Sequence, residues 1–320
     1  MKKNKIKDTG LEITELSFGT SSLGSMPDTY GYEVSEDRAQ KTLNRFFQGP
    51  VNMLDTSRNY AMGESEKRIG KAIKENGGWP NGFLLSTKLD RNMDTLVLDK
   101  NRVRESLEES LKTLNVDSVD ILFLHDPEYA KDITDITKKD GAMDELFKIK
   151  NEGLAKAVGV AMGKVDIMFP LLKDWDFDVI INHNRYTLIN REANKMYEYA
   201  SSKNIAIFNA APYAGGVLAK GPDNFKKVTY QDATEEKLAP AREFEKVCKK
   251  HNVELGAAAL QFSLRDNRIT STICGVTSIE SIEKNLAWAN AEISSEFWEE
   301  ISKLPFSTND PESERVFTPG

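Results

Sequence analysis

The sequence predicts an α/β fold: a (β/α)8 TIM-type barrel with an N-terminal β-hairpin and an extra C-terminal helix. Three observations carry that prediction. Short apolar, β-branched runs alternate with stretches of 3.6-residue periodicity along almost the whole chain. Strict strand–helix alternation implies a parallel sheet. The alternation repeats eight times within 320 residues, which suits a closed barrel better than an open doubly wound sheet.

The elements follow in order. Residues 5–13 read as a small hairpin whose corner, Asp8-Thr9-Gly10, supplies turn residues. Strand-like runs then fall at 16–18, 53–55, 83–88, 119–125, 155–160, 179–182, 206–210 and 272–274. Helical periodicity fills 37–48, 64–76, 101–114, 143–151, 164–172, 191–203, 240–251, 255–265 and 279–290, with a further helix at 295–304. In 101–114 the apolar positions Val103, Leu107, Leu111 and Leu114 share one face. No linker or low-complexity stretch divides residues 1–320, so one domain is expected. Two segments break the rhythm: a long loop at 214–239 and a tail at 306–320. Unstructured segments of that length are usually functional or mobile.

Composition limits the partners. The net charge of −7, with 39% hydrophobic and 29% charged residues, describes an ordinary globular chain and disfavours a nucleic-acid or anionic-membrane surface. The basic start, residues 1–7, has no apolar signal core behind it, and no apolar run is long enough to span a bilayer. Cys248 and Cys274 form no redox or metal spacing, and His125, His183 and His251 form no ligand cluster. The expectation is a metal-free, cytoplasmic protein, a monomer or small homo-oligomer, acting on a small molecule.

Active sites of such barrels form at the C-terminal ends of the strands. The second strand ends at Asp55, with Tyr60 just beyond it. The third ends at Lys88 and the fourth at His125. A strand-end Asp alone is often only a helix cap, and a loop Tyr is often packing. A Lys closing an apolar strand is harder to dismiss, because an unpaired buried ammonium is costly. Together the four suit carbonyl reduction. Tyr60 would give a proton to the developing alkoxide, and Lys88 would lower the phenol's pKa from about 10. Asp55 would hold the ammonium, and His125 would orient the substrate oxygen. In the oxidative direction Tyr60 would accept the hydroxyl proton.

These residues carry a resemblance. The stretch 54–66, Leu-Asp-Thr-Ser-Arg-Asn-Tyr-Ala-Met-Gly-Glu-Ser-Glu, resembles the aldo-keto reductase signature around its catalytic Asp and Tyr. Ser86-Thr87-Lys88 resembles the family's lysine strand and Leu124-His125-Asp126-Pro127 its histidine strand. The likeness runs from about Leu11 to Leu304. Segments 125–128, 184–188 and 209–218 are similar to the sugar dehydrogenase branch, which includes L-fucose, D-threo-aldose and L-galactose dehydrogenases and commonly oxidises an aldose at C1 with NAD.

The resemblance implies a nicotinamide cofactor. Its pyrophosphate would lie on the loop containing Pro212, Tyr213, Gly215, Gly216 and Leu218, and on the helix start at Gly275, Thr277 and Ser278. Glycines permit close approach there, and free N–H groups attract anions. Gly19, Thr20 and Asp55 match first- and second-strand contacts, and Asn285 matches an adenine contact. Family members that use NADPH often carry Lys or Arg where this chain has Gly275, Thr277 and Ser281, which implies NAD over NADP. Arg268 and Lys284 are the nearby cations that could compensate. Four departures are visible. Ala161-Met162 replaces the Ser-Asn pair that holds the nicotinamide amide. His183 stands near the usual Gln, and could take that contact or be structural. Ala210 replaces the stacking aromatic, with Tyr213 close by. Ala61 replaces a Gly, which is tolerable unless φ is positive there. Met26, Tyr30, Arg58 and Asn59, with Glu128 and Tyr129, are substrate-side candidates beside Tyr60 and His125. Two alternatives stay open: a general NADPH-dependent aldehyde or ketone reductase, and a cofactor-binding regulatory subunit like the potassium-channel β subunits of this superfamily.

Overall fold

The computed structural model describes residues 1–315. A hairpin of β1 (Lys3–Ile6) and β2 (Leu11–Thr14) precedes β3 (Leu16–Gly19), β4 (Met53–Asp55), β5 (Leu84–Leu89), β6 (Val119–His125), β7 (Ala155–Met162), β8 (Val179–His183) and β9 (Ala206–Ala210). A short hairpin of β10 (Lys227–Val228) and β11 (Gln231–Asp232) comes before the last strand, β12 (Ser271–Gly275). The eight strands β3 to β9 and β12 close into a parallel barrel, with β12 pairing both β3 and β9.

The helices are α1 (Pro27–Tyr30), α2 (Glu36–Phe46), α3 (Glu64–Glu75), α4 (Lys100–Leu114), α5 (Thr134–Thr137), α6 (Ala142–Asn151) and α7 (Val165–Asp174). The second half adds α8 (Asn194–Ser202), α9 (Val217–Lys220), α10 (Glu235–Lys250), α11 (Leu255–Leu264), α12 (Ile279–Ala289) and α13 (Ser295–Ile301). Helix α4 shows why such segments fold locally. The Asp99 side chain accepts from the Arg102 N–H at 2.9 Å at its start, and Asn115 ends it in a left-handed turn. Val103, Leu107 and Leu114, spaced on one face, are buried.

Strand periodicity divides the core in two. Leu85, Leu122, Leu124 and Val158 face outward into the layer between sheet and helices. Met53, Leu84, Ile121, Phe123, Ile181, Phe208 and Ile273 face inward and fill the barrel. Ile6, Leu11 and Ile13 of the hairpin join this inner cluster and plug its N-terminal end. With that end filled, the opposite end is the one open to a ligand. The period of two also puts Asp55, Lys88, His125 and His183 on the inner face, just above the packed layer.

Several expectations need correction. Residues 214–239 are not a structureless loop. They hold a 3₁₀ turn, α9 and the β10–β11 hairpin, and α10 begins at Glu235. The Thr234 side chain accepts from the Lys237 N–H, and a stripe of Leu238, Ala241, Phe244 and Cys248 is buried straight across Pro240. That packing carries the helix past a residue the sequence reading took as its start. The described part of the tail is likewise packed, because Glu312 is buried and ion-paired with Arg185 at 2.8 Å. Residues 316–320 of that tail lie outside the described residues. The helix expected from 191 starts at Asn194, because Asn190 forms an isolated bridge with Ser307.

Candidate active site

A cavity of about 470 Å³ occupies the C-terminal mouth of the barrel. It brings together Tyr60, Asp55, Lys88 and His125, as the sequence reading expected. The Lys88 ammonium, 2% exposed, donates to Asp55 Oδ2 at 2.7 Å, to the Thr56 carbonyl at 2.6 Å and to the Tyr60 oxygen at 3.0 Å. Ser86 Oγ donates to the other Asp55 oxygen at 2.9 Å. Lys88 therefore has three acceptors and Asp55 is fully paired, which is how a buried ion pair is tolerated. Tyr60 accepts from Lys88, so its own O–H is left to point at a ligand.

The electrostatics correct one expectation. Tyr60 is not eased toward phenolate. Burial, and then the negative charge of Asp55, push its phenol well above the usual value. The reason is charge balance: the Lys88 cation is already matched by a carboxylate 2.7 Å away. Tyr60 rests as an acid.

His125 stands across the cavity with its ring edge-on to Tyr60, centroids 5.8 Å apart. Its Nδ1 lies 2.6 Å from Asp90 Oδ1, and Asp90 is fully buried. Burial alone would lower the His125 pKa, but the charges of Asp126 and Asp90 outweigh it and hold the ring above its usual value. Asp90 was missed by the sequence reading. Its signal was there: it lies two residues past Lys88, continuing the inner face of β5.

The remaining candidates fall into three groups. Gly19, Thr20, Met26, Tyr30, Asn59, His183, Tyr213, Gly215, Gly216, Gly275, Thr277, Ser281 and Asn285 line the cavity. Pro212, Leu218 and Ser278 support it from behind, Leu218 fully buried and Ser278 as N-cap of α12. Arg58 is the exception. It turns away from the mouth, donates to Glu109 at 3.1 Å and lines a separate cleft. Tyr129 lines the cavity, whereas Glu128 is drawn back to accept from the Gly163 N–H at 3.0 Å. Burial, with the charge of Asp126, pushes Glu128 up to about 7.

The far end of the cavity is built by α12. Asn285 is buried, not an exposed helix residue. It accepts from the Tyr213 hydroxyl at 2.5 Å, and Tyr213 packs edge-on against Trp288 at 5.6 Å. Tyr213 is thus tied to that end of the cavity rather than to the Tyr60 end. Gly215 and Gly216 have positive φ, 75° and 123°, a conformation that glycine adopts without strain. A Cβ on Gly275 would meet nothing within 4 Å, so the backbone there is open to an extended ligand. Tyr230 and Arg315, from segments distant in sequence, complete the roof. No local pattern could have announced them. Ala61 has φ 50°, so the Gly-to-Ala departure carries backbone strain.

A filled barrel with a Tyr–Lys–Asp cluster and an imidazole at its mouth, beside a long glycine-edged groove, defines a barrel oxidoreductase of the nicotinamide-dependent kind. The sequence profile of the aldo/keto reductase family matches residues 15–305, and the chain belongs to that family. It is an NAD(P)-dependent oxidoreductase. It is 31% identical over 284 residues to L-galactose dehydrogenase of Arabidopsis thaliana, covering 88% of this chain and 85% of that protein. It is 28% identical to D-threo-aldose 1-dehydrogenase of a Pseudomonas species, covering 92% and 94%. An aldo-keto reductase from Bacillus halodurans in its holo form shares the fold, with a TM-score of 0.79 at 22% identity over 99% of this chain and 100% of that one. Among the described residues no helix is long and apolar enough to cross a membrane.

Proposed function

We propose that the protein oxidises an aldose at its C1 hydroxyl with NAD, and that Tyr60, Lys88, Asp55 and His125 carry the chemistry. The observation that carries the substrate reading is the polar rim beside Tyr60. Asn59, Asp126 and His183 line the cavity there and offer donors and acceptors to a hydroxylated molecule. The two sugar dehydrogenases named above point the same way.

The cavity runs from Thr20 past Gly215 and Gly216 to Asn285, and its backbone is open at Gly275, so a dinucleotide would lie along these residues. A nicotinamide bound there supplies or takes up the hydride. The chain's residues manage the proton. In reduction, Tyr60 gives its proton to the substrate oxygen while Lys88 and Asp55 hold the phenol in place. In oxidation, Tyr60 must first lose that proton, so the oxidative rate climbs with pH through the alkaline range. His125 fixes the substrate oxygen, and Tyr30 and Tyr230 shield it from water.

NAD is favoured by what surrounds α12. One expectation is corrected there: the Ser281 hydroxyl accepts from the Thr277 and Ser278 N–H groups at 2.9 and 3.0 Å, so these two are not free donors for the pyrophosphate, and they bear equally on NAD and NADP. Gly275 brings no cation. Arg268 is committed to Asp266 and to the Tyr186 hydroxyl, outside the cavity. Lys284, over the Trp288 ring at 4.6 Å, is the cation that lines this end and favours the second reading, an NADPH-dependent aldehyde reductase. The test is absorbance at the reduced-nicotinamide band with aldoses plus NAD or NADP, and aldehydes plus NADH or NADPH. Aldose oxidation preferring NAD is expected. Aldehyde reduction preferring NADPH overturns both the substrate and the cofactor reading.

A further inference from the structure

The Asp90 carboxylate makes no hydrogen bond to Tyr60, Lys88 or Asp55, yet it is fully buried at the mouth of the barrel and meets His125 directly. We propose that Asp90 is a positioning residue that fixes the tautomer of His125. The Nε2 edge of the ring then donates to a substrate carbonyl when the ring is charged, and accepts from a substrate hydroxyl when it is neutral. This rests on the oxidoreductase site proposed above and adds a direction-selecting device to it.

The argument begins with the carboxylate. Asp90 Oδ2 accepts from the Ser57 hydroxyl at 2.6 Å and from the Asn59 N–H at 3.0 Å. Its other oxygen lies 2.6 Å from His125 Nδ1. The Asn59 N–H can only donate, and the Ser57 hydroxyl, which accepts from that same N–H at 3.2 Å and lies 3.1 Å from His125 Nδ1, turns its own hydrogen to Asp90, an arrangement that favours an ionised carboxylate. Burial by itself would raise the Asp90 pKa. The His125 charge and these hydrogen bonds outweigh burial and hold it below the usual carboxylate value. An ionised Asp90 has no proton to give, so Nδ1 must carry the hydrogen of their shared bond.

The second ring nitrogen follows from the first. With Nδ1–H given to Asp90, Nε2 is the only ring nitrogen left for a ligand in the cavity. Neutral His125 then shows a bare lone pair there, and charged His125 shows an N–H. A carbonyl oxygen can only accept, so it needs the charged ring. A hydroxyl can give its hydrogen to the lone pair, so it prefers the neutral ring. The other tautomer would donate from Nε2 while neutral, and no such dependence on charge would exist.

The groups around the ring set where it changes state. Asp90 and Lys88 face it from the strand β5 end, Tyr60 from the turn after β4, and Asp126 from its own strand end, with Oδ2 3.7 Å from Nε2. Glu128 lies beyond Asp126 and Asp55 beyond Lys88. The carboxylates favour the charged ring, and Lys88 opposes it. Carbonyl substrates should therefore bind best on the acid side of the His125 titration, and alcohol substrates on the alkaline side.

The test is NMR titration of the imidazoles in the cofactor-free full-length protein. Only three histidines are present, and a His125→Gln variant assigns the signal. The wild-type neutral ring is expected as the Nδ1–H tautomer, and a dominant Nε2–H tautomer overturns the proposal. Asp90→Asn keeps an acceptor for Nδ1–H and removes the charge. The His125 midpoint should fall by about 1–3 pH units, the range for losing an adjacent opposite charge. The alkaline limb of the KM profile for a carbonyl substrate, where KM rises as the ring loses its charge, should move with it. An unchanged midpoint in Asp90→Asn overturns the proposal even if turnover falls. If the midpoint moves and no substrate is ever turned over, the tautomer assignment stands and the oxidoreductase reading fails. The wild-type tautomer measurement decides the matter even if the variant does not fold.

Discussion

Tyr60 sits where three demands meet, because it accepts from Lys88, keeps its own proton and faces the cavity. Tyr60→Phe removes one oxygen and leaves Lys88 with Asp55 and the Thr56 carbonyl as acceptors. The fold and the groove are therefore expected to survive. Turnover should drop by about 10²–10⁴-fold, the usual share of a general acid, while cofactor affinity by fluorescence titration stays within a factor of two or so. Loss of affinity with normal single-turnover chemistry would remove Tyr60 from its role. The next residue invites a stability test. Ala61 and Met62 both hold positive φ, at 50° and 54°. Non-glycine residues pay roughly 1–2 kcal/mol in that region. Ala61→Gly should stabilise the protein by about 1 kcal/mol in urea unfolding, and destabilisation would mean that the turn is relaxed in solution.

The described tail behaves as an element although it has no regular structure. Arg185, 1% exposed, reaches Asp310 at 2.6 Å and Glu312 at 2.8 Å, and Asn184 Nδ2 donates to Glu312 at 2.8 Å. The Pro311 carbonyl accepts from Thr229 Oγ1 at 3.0 Å. Tyr230, next in line, packs on Tyr30 at 6.0 Å and beneath Arg315 at 5.1 Å. The tail thus holds a roof over the cavity through one buried guanidinium. Glu312→Ala should cost about 3 kcal/mol, the low end for breaking a buried ion pair, and should raise substrate KM more than it lowers kcat. An unchanged KM would show that the roof does not need this clamp. The same contrast explains what the sequence could reveal. The barrel strands and Asp55, Lys88 and His125 were legible because they follow from local period-two patterning and a fixed end of the barrel, and Tyr60 from the signature stretch 54–66 that runs on from Asp55. Arg185 with Glu312, and Tyr230 over Tyr30, depend on contacts between residues far apart in the chain, for which no local spacing exists. Asp90 lies between these cases: its position was legible, but its partner His125 comes from a different strand. Arg58 illustrates the converse. Its place beside Tyr60 suggested the cavity, but Glu109 on α4 draws it elsewhere.

Charge placement over the whole molecule gives its stability a pH optimum. Glu66 is buried between α3 and the barrel, accepts from Thr87 Oγ1 at 2.6 Å, and is pushed up to about 7 by burial. Glu128 is pushed to about the same value. For a carboxyl raised in the fold, the associated stability is fully present below the unfolded value near 4.5 and is lost as pH rises through about 7. His125, also raised, adds to this loss on the alkaline side. The opposite sign applies to Asp90 and Glu312. Both are held below the usual carboxylate range despite burial, so their contribution is present above the unfolded values and is lost as pH falls through the folded ones. His183, lowered chiefly by burial, likewise withdraws stability as the pH drops below its usual 6.5. The two sets enclose a maximum at about pH 5, at the acid end of the common range. The urea midpoint should decline from there to pH 8.5. Glu66→Gln cannot ionise, retains an acceptor for Thr87 and brings an amide beside Ser110. Its midpoint should fall less steeply than that of the wild type above pH 6, so that the two curves converge or cross as pH rises. Parallel curves would mean that Glu66 is already ionised in the folded protein at pH 6, and that the alkaline loss belongs to Glu128 and His125 alone.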